Sequence, residues 1–195
     1  MKRLALLCGA MLLFAGLASA QDESPKVEAF GGYSYVRVNP GFGAPGLNFN
    51  GGSGSLAYNF NSWLGAVADF GGYHWSQDGA DATVVSYLFG PKIAYRADKF
   101  TPFAQALFGG ARISGSVLTC RLSARVYPQD GCVSSGSENA FAMTVGGGLD
   151  YNVTPHIGIR LAQAEYALTR FKGLGTTGGD TQNNFRYEAG VVFRW

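Results

Sequence analysis

Apolar and polar positions alternate along most of this chain, and the alternation recurs in segments. Residues 83–96 set Val85, Tyr87, Phe89, Ile93 and Tyr95 against Ser86, Gly90, Lys92 and Ala94. Residues 139–152 set Met143, Val145, Leu149 and Tyr151 against Thr144, Gly146, Gly148 and Asp150. Residues 48–60 set Leu56, Tyr58 and Phe60 against Ser53, Ser55, Ala57 and Asn59. A period of two places one set on each face of a strand. Helical spacing is nowhere sustained, and glycines interrupt each stretch in which a helix could be sought. The pattern predicts eight strands, at about 26–38, 48–60, 63–76, 83–96, 100–114, 139–152, 156–170 and 184–195.

The connections alternate in length. "NFNSW", "RADKF" and "NVTPH" are short, whereas "NPGFGAPGL", "SQDGADA", residues 115–138 and "KGLGTTGGDTQN" are longer. Short turns on one side and long loops on the other are the organisation of an all-β, eight-stranded antiparallel up-and-down transmembrane β-barrel. Both chain ends and the short turns then face the periplasm, and four loops face outward.

Composition decides which face meets which solvent. A soluble barrel needs a charged exterior, but charged residues make up only 14% of the chain. The polar strand face is mostly Gly, Ser, Thr and Ala, small enough for the interior of an eight-stranded barrel. The other face is aliphatic, with aromatic residues near strand ends, as membrane interfaces favour. The apolar face therefore points outward.

The beginning of the chain, "MKRLALLCGAMLLFAGLASA", joins a basic start, a short apolar run and Ala18-Ser19-Ala20. This is the layout of a secretory signal peptide, with cleavage expected between Ala20 and Gln21 and residues 21–195 forming the barrel domain. Without Lys2 and Arg3, 13 basic residues balance 13 acidic ones. That balance offers nothing to a nucleic acid. No phosphate loop, zinc spacing or nucleotide fingerprint is present, so no cofactor is expected.

The end of the chain, "YEAGVVFRW", keeps Tyr187, Ala189, Val191, Phe193 and Trp195 on one parity to the last residue. In a closed barrel the last strand pairs with the first, so its end need not fray.

"KVEAFGGYSYVRV", "RADKFTPFAQALFGG", "IGIRLAQAEYALTRF" and "NNFRYEAGVVFRW" together resemble the small eight-stranded outer-membrane barrels of the OmpA-like type, over residues 26 to 195. The resemblance implies a monomer in contact with outer-membrane lipids. It also implies that Tyr187, Val191, Phe193 and Trp195 form a C-terminal signal read by the barrel-assembly machinery. The chain stops at the barrel, so a wall-anchoring role does not carry over.

The inward parity holds Glu28, Asp69, Asp150 and Glu188 beside Lys92, Arg160, Arg186 and Arg194. Buried charges must pair, so a salt-bridged plug is one reading of the lumen and a narrow gated ion path is another. In the seventh strand, Ile157, Ile159 and Leu161 share a parity that Tyr166 and Leu168 do not. A bulge near Ala162 to Ala164 would send both sets to lipid and turn Gln163 and Glu165 inward. In the third strand, Asp69 inside takes Tyr73 and Trp75 inside too, unless Gly71-Gly72 hosts a bulge.

His74 and Ser76 form the His-x-Ser pair used by some lipid A-modifying barrels, but no glutamate lies between Ser76 and Arg112. His156, beside Pro155 in a short turn, has no metal-site partner. A non-enzymatic structural role is expected, with surface interaction through an unidentified extracellular ligand; a low-conductance pore is the alternative and a lipid-modifying enzyme ranks third.

The longest loop holds Cys120 and Cys132, and the predicted cleavage removes Cys8. A bridge between them would restrict the loop by about 3 kcal/mol of chain entropy. Unreduced peptides from the exported protein are expected to show Cys120 linked to Cys132 by mass spectrometry; two free thiols would refute the pairing.

Overall fold

The computed structural model describes residues 24–39, 46–77, 80–115, 136–171 and 181–195. The expected cleavage point at Ala20 and Gln21, and both Cys120 and Cys132, lie outside the described residues.

Eight strands form a closed antiparallel barrel in chain order. They are β1 (Val27–Val38), β2 (Leu47–Asn59), β3 (Leu64–Gln77), β4 (Ala80–Ala94), β5 (Phe100–Gly115), β6 (Gly136–Asn152), β7 (Ile157–Phe171) and β8 (Thr181–Arg194). Each expected strand is found, with ends displaced by a few residues at most. One connection differs in kind. β3 runs to Gln77 and β4 begins at Ala80, so five residues of the expected "SQDGADA" loop belong to strands. Pairing of Ser76 with Asp81 and Gln77 with Ala80 continues the ladder through residues that composition alone assigned to a loop.

Closure reaches the chain's last residue. The Val27 N–H donates to the Trp195 carbonyl at 3.0 Å, and the Trp195 N–H returns a bond to the Val27 carbonyl at 2.9 Å. Along the same seam, Gly32 of β1 pairs directly with Gly190 of β8. A Cβ on Gly32 would stand 2.8 Å from the Gly190 Cα, so the backbones meet where neither residue carries a side chain.

The outer wall is apolar. Leu56, Phe70, Phe89, Phe108, Val145 and Ile159 are all exposed on it. Aromatic rings gather at the short-turn end, where Phe100 and Tyr151 lie 5.4 Å apart and Phe193 and Trp195 6.4 Å apart. Inside, the wall divides. Ala57, Val67, Leu88, Leu107, Ala111 and Ala142 form one apolar cluster. Phe49, Tyr73 and Ala82 form a second, with Val36, Val38, Leu47, Trp75 and Val84 packed on it toward the long-loop end. The lumen is therefore polar on one side and apolar on the other and at its outer end, rather than polar throughout. A barrel this narrow packs its interior as a core.

Both irregular strands are resolved. β3 keeps an unbroken register with β2 and β4, so Tyr73 and Trp75 stay on the inner parity with Asp69. Gly71 makes this possible: a Cβ there would stand 2.6 Å from the Tyr73 ring, which occupies the space a side chain would need. β7 does carry a bulge, at Leu161–Ala162, where its register shifts against both β6 and β8. The shift is about one residue earlier than its expected place. The carbonyl of Leu161 on this bulge accepts a 3.3 Å bond from the Tyr187 hydroxyl, which matters where lipid offers no donor.

The Gly32–Gly190 contact sets a steric test of closure. Gly190→Val is expected to destabilise the barrel by about 1–3 kcal/mol through overpacking, measured by urea unfolding in detergent. An outward-facing control, Gly72→Val, has nothing within 4 Å of its new Cβ and should cost far less.

Candidate functional site

The register of the barrel assembles a charged network inside it. Directly paired positions supply most of its bonds, because side chains opposite one another on one sheet face are nearest neighbours. Asp150 pairs with Arg160 across β6–β7, and Arg160 Nε donates to Asp150 Oδ1 at 2.8 Å. Glu165 pairs with Arg186 across β7–β8, and Arg186 Nε donates to Glu165 Oε2 at 2.6 Å. Glu188 pairs with Ser34 across the β8–β1 seam, and the Ser34 hydroxyl donates to Glu188 Oε1 at 3.1 Å.

Other bonds cross the lumen and tie distant strands together. Lys92 of β4 reaches Glu28 of β1 at 2.6 Å. Arg186 of β8 reaches Asp69 of β3 at 2.7 Å. Gln105 of β5 donates to Glu165 of β7 at 2.8 Å. Arg194 of β8 lies 3.0 Å from Asp150 of β6.

All eight charged residues expected on the inner face are buried there, as is Glu165, which the expected bulge turns inward, and the half-buried Arg96 joins them. Glu165 arrives through the β7 bulge. Arg96 lies just beyond β4 and reaches back to Glu28 Oε1 at 3.0 Å, while also donating to the Ser62 carbonyl. Position in a turn hid Arg96 from a strand-parity argument. Phe30 and Phe103 were also missed, although they share parity with Glu28 and Gln105. Their rings sandwich the Arg160 guanidinium at 4.3 and 4.4 Å, which holds a cation over two negative ring faces.

The network is segregated by sign. Toward the short-turn end, Lys92, Arg96, Arg160 and Arg194 surround only Glu28 and Asp150. Deeper in the lumen, Arg186 is the one cation among the described residues that pairs with Asp69, Glu165 and Glu188. Gln163 joins the two groups. It accepts from Arg160 Nη1 at 2.7 Å and donates to Glu188 Oε2 at 2.6 Å.

The remaining expected residues sit elsewhere. Val191, Phe193 and Trp195 face outward from β8, while Tyr187 is half-buried against the β7 bulge. His74 stands exposed on the outer wall, with Nδ1 3.3 Å from Thr83 Oγ1 and Nε2 3.9 Å from Asp81. Ser76 pairs with Asp81, so an acid does come near the His-x-Ser pair, although as aspartate rather than glutamate. His156 Nδ1 lies 3.1 Å from the Arg194 carbonyl in the short turn. Among the described residues no cluster of His, Cys, Asp and Glu is arranged to hold a metal.

An apolar exterior, a closed ladder and a charged interior define a transmembrane β-barrel of the outer membrane. The chain belongs to the Outer membrane protein beta-barrel domain family, which matches residues 5–193. Comparison with curated proteins gives no match. Among solved structures, it is similar to neisserial surface protein A, at 15% identity and a TM-score of 0.64 over 89% of this chain and 100% of that one. It is likewise similar to Ail, the attachment invasion locus protein of Yersinia pestis, at 18% identity and a TM-score of 0.58 over 88% and 99%. At such identities the shared property is the fold.

The unequal sharing around Arg186 sets a test. Arg186→Met leaves three buried carboxylates without their common cation and is expected to cost about 3–5 kcal/mol. Arg96→Gln leaves Glu28 with Lys92 and Arg194 and should cost less than about 1 kcal/mol. Urea unfolding in detergent, followed by gel mobility of unheated samples, ranks the two; equal losses would show that Arg186 is not central.

Proposed function

We propose that this protein is a closed, non-conducting membrane anchor whose outer loops perform its function by contact with a partner outside the cell. The observation that carries the reading is the filled interior. Leu88, Leu107, Val192, Glu165 and Glu188 are all almost wholly buried within a barrel of eight strands. The apolar cluster around Phe49, Tyr73 and Trp75 packs into the lumen toward the long-loop end, and ion pairs cross it below, which supports this reading. Side chains packed in this way leave the connections between strands as the parts free to vary for recognition. Ail, which shares the fold, is named for attachment and has been solved with the heparin analogue sucrose octasulfate. A binding role for this chain's loops, including a Cys120–Cys132 loop, is of that general kind.

A narrow pore is the second reading. Ser53, Ser86 and Thr144 point hydroxyls into the lumen without a partner among the described residues, as groups lining a water path would. A catalytic role for His74 has less support, because its ring stops 3.9 Å short of Asp81 and is open to its surroundings.

Planar-bilayer recording separates the two leading readings. The wild-type barrel is expected to pass no steady current, and Arg186→Met to raise conductance by loosening the interior. Steady wild-type current, with ion selectivity altered and stability unchanged by Arg186→Met, would replace the anchor with the pore.

A further inference from the structure

The exterior faces of the strands carry very little charge, and what they carry is placed asymmetrically. Among the described residues, the outward parity holds three arginines, Arg37 on β1, Arg112 on β5 and Arg170 on β7, and one carboxylate, Asp81 on β4. All three stand at the long-loop end of their strands. The outward faces of β5, β6 and β7 contain no carboxylate. No described carboxylate lies within ion-pair distance of these arginines.

Two of them flank β6. Arg170 pairs with Phe141 on one side of β6, and Arg112 pairs with Asn139 on its other side. Strand spacing separates them by about 10 Å across the sheet and about 7 Å along it, a gap that two long side chains can close on a shared anion. Arg112 reaches onto β6, with Nη2 donating to Ser137 Oγ at 3.1 Å, two residues to the loop side of its paired Asn139. Below the pair lies exposed apolar wall: Phe108, Phe141, Val145 and Tyr166.

We propose that Arg112 and Arg170 clasp the phosphate of an outer-leaflet lipid headgroup above β6, with its acyl chains lying on the β5–β7 wall. Guanidinium forks match phosphate oxygens, and cations at a membrane surface attract anionic lipid. The apolar surface beneath selects a lipid over a free anion. Arg37 is the internal control, being a single arginine at the same end of β1, where Asn48 and Phe185 are its paired neighbours.

The test uses the barrel folded in phosphatidylcholine nanodiscs containing a minor fraction of phosphatidic acid, with co-purifying lipid read by native mass spectrometry. Phosphatidic acid should be retained in preference to phosphatidylcholine and to diacylglycerol. Arg112→Gln and Arg170→Gln should each weaken retention about fivefold, while Arg37→Gln leaves it unchanged and all three keep wild-type gel mobility. An equal loss with Arg37→Gln would reduce the effect to a diffuse basic belt. Full competition by inorganic phosphate would make the site one for free anions, and no preference for phosphatidic acid would remove it.

Discussion

Lipid supplies no hydrogen bonds to a backbone, and this constraint governs the rest of the structure. A sheet with a free edge would present bare N–H and C=O groups to hydrocarbon, at several kcal/mol each. The eight strands escape that cost only by closing β8 onto β1, through to Trp195. Closure also creates an enclosed interior, into which every second side chain of a strand points. Charged residues on the inner parity must find partners there, and the side chains must fill whatever space remains. The bulge carbonyl of Leu161, left over where β7 shifts register, is met by the Tyr187 hydroxyl under the same demand.

Much of this was legible because period-two alternation fixes which side chains share a face. The number of strands, the order of connections and the inward direction of Glu28, Asp69, Lys92, Asp150, Arg160, Arg186, Glu188 and Arg194 all follow from parity. The pattern is less informative about extent. Gln77 and Ala80 are in the ladder, yet "SQDGADA" has the composition of a loop, because a strand end beyond the hydrocarbon has no reason to be apolar.

The candidate site was legible in its membership more than in its wiring. Parity gives a residue's face but not its height or its reach. Asp69 and Arg186 belong to strands far apart in the chain, and only the barrel's register brings them to 2.7 Å. Arg96 enters from a turn, where parity has no meaning. Phe30 and Phe103 read as ordinary apolar residues, and their contact with Arg160 depends on three strands meeting at one level. The apolar half of the lumen was missed for a related reason. In Leu88 and Leu107 the inner parity carries residues that a polar-face rule treats as exceptions, although a narrow barrel has a core to pack.

Buried ion pairs are weak evidence for stability, since desolvation offsets much of their attraction. Their geometry here supports another role, the selection of register. A one-residue slip of β8 against its neighbours would turn Arg186, Glu188 and Arg194 toward lipid. Each arginine near the membrane midplane would then cost about 2–4 kcal/mol, while their partners across the lumen would lose them. Apolar packing alone discriminates poorly between such registers, because Val, Ala and Gly occur on both faces of these strands. Gln163 shows how finely the arrangement is set. It lies between a cation-rich group and a carboxylate-rich group, and its amide accepts from Arg160 while donating to Glu188. A glutamate there would face Glu188 with like charge, and a lysine would face Arg160. The β7 bulge brings this amide opposite Glu188 and, two residues on, Glu165 opposite Arg186. One extra residue in one strand thus aligns the interior with the seam that closes the barrel.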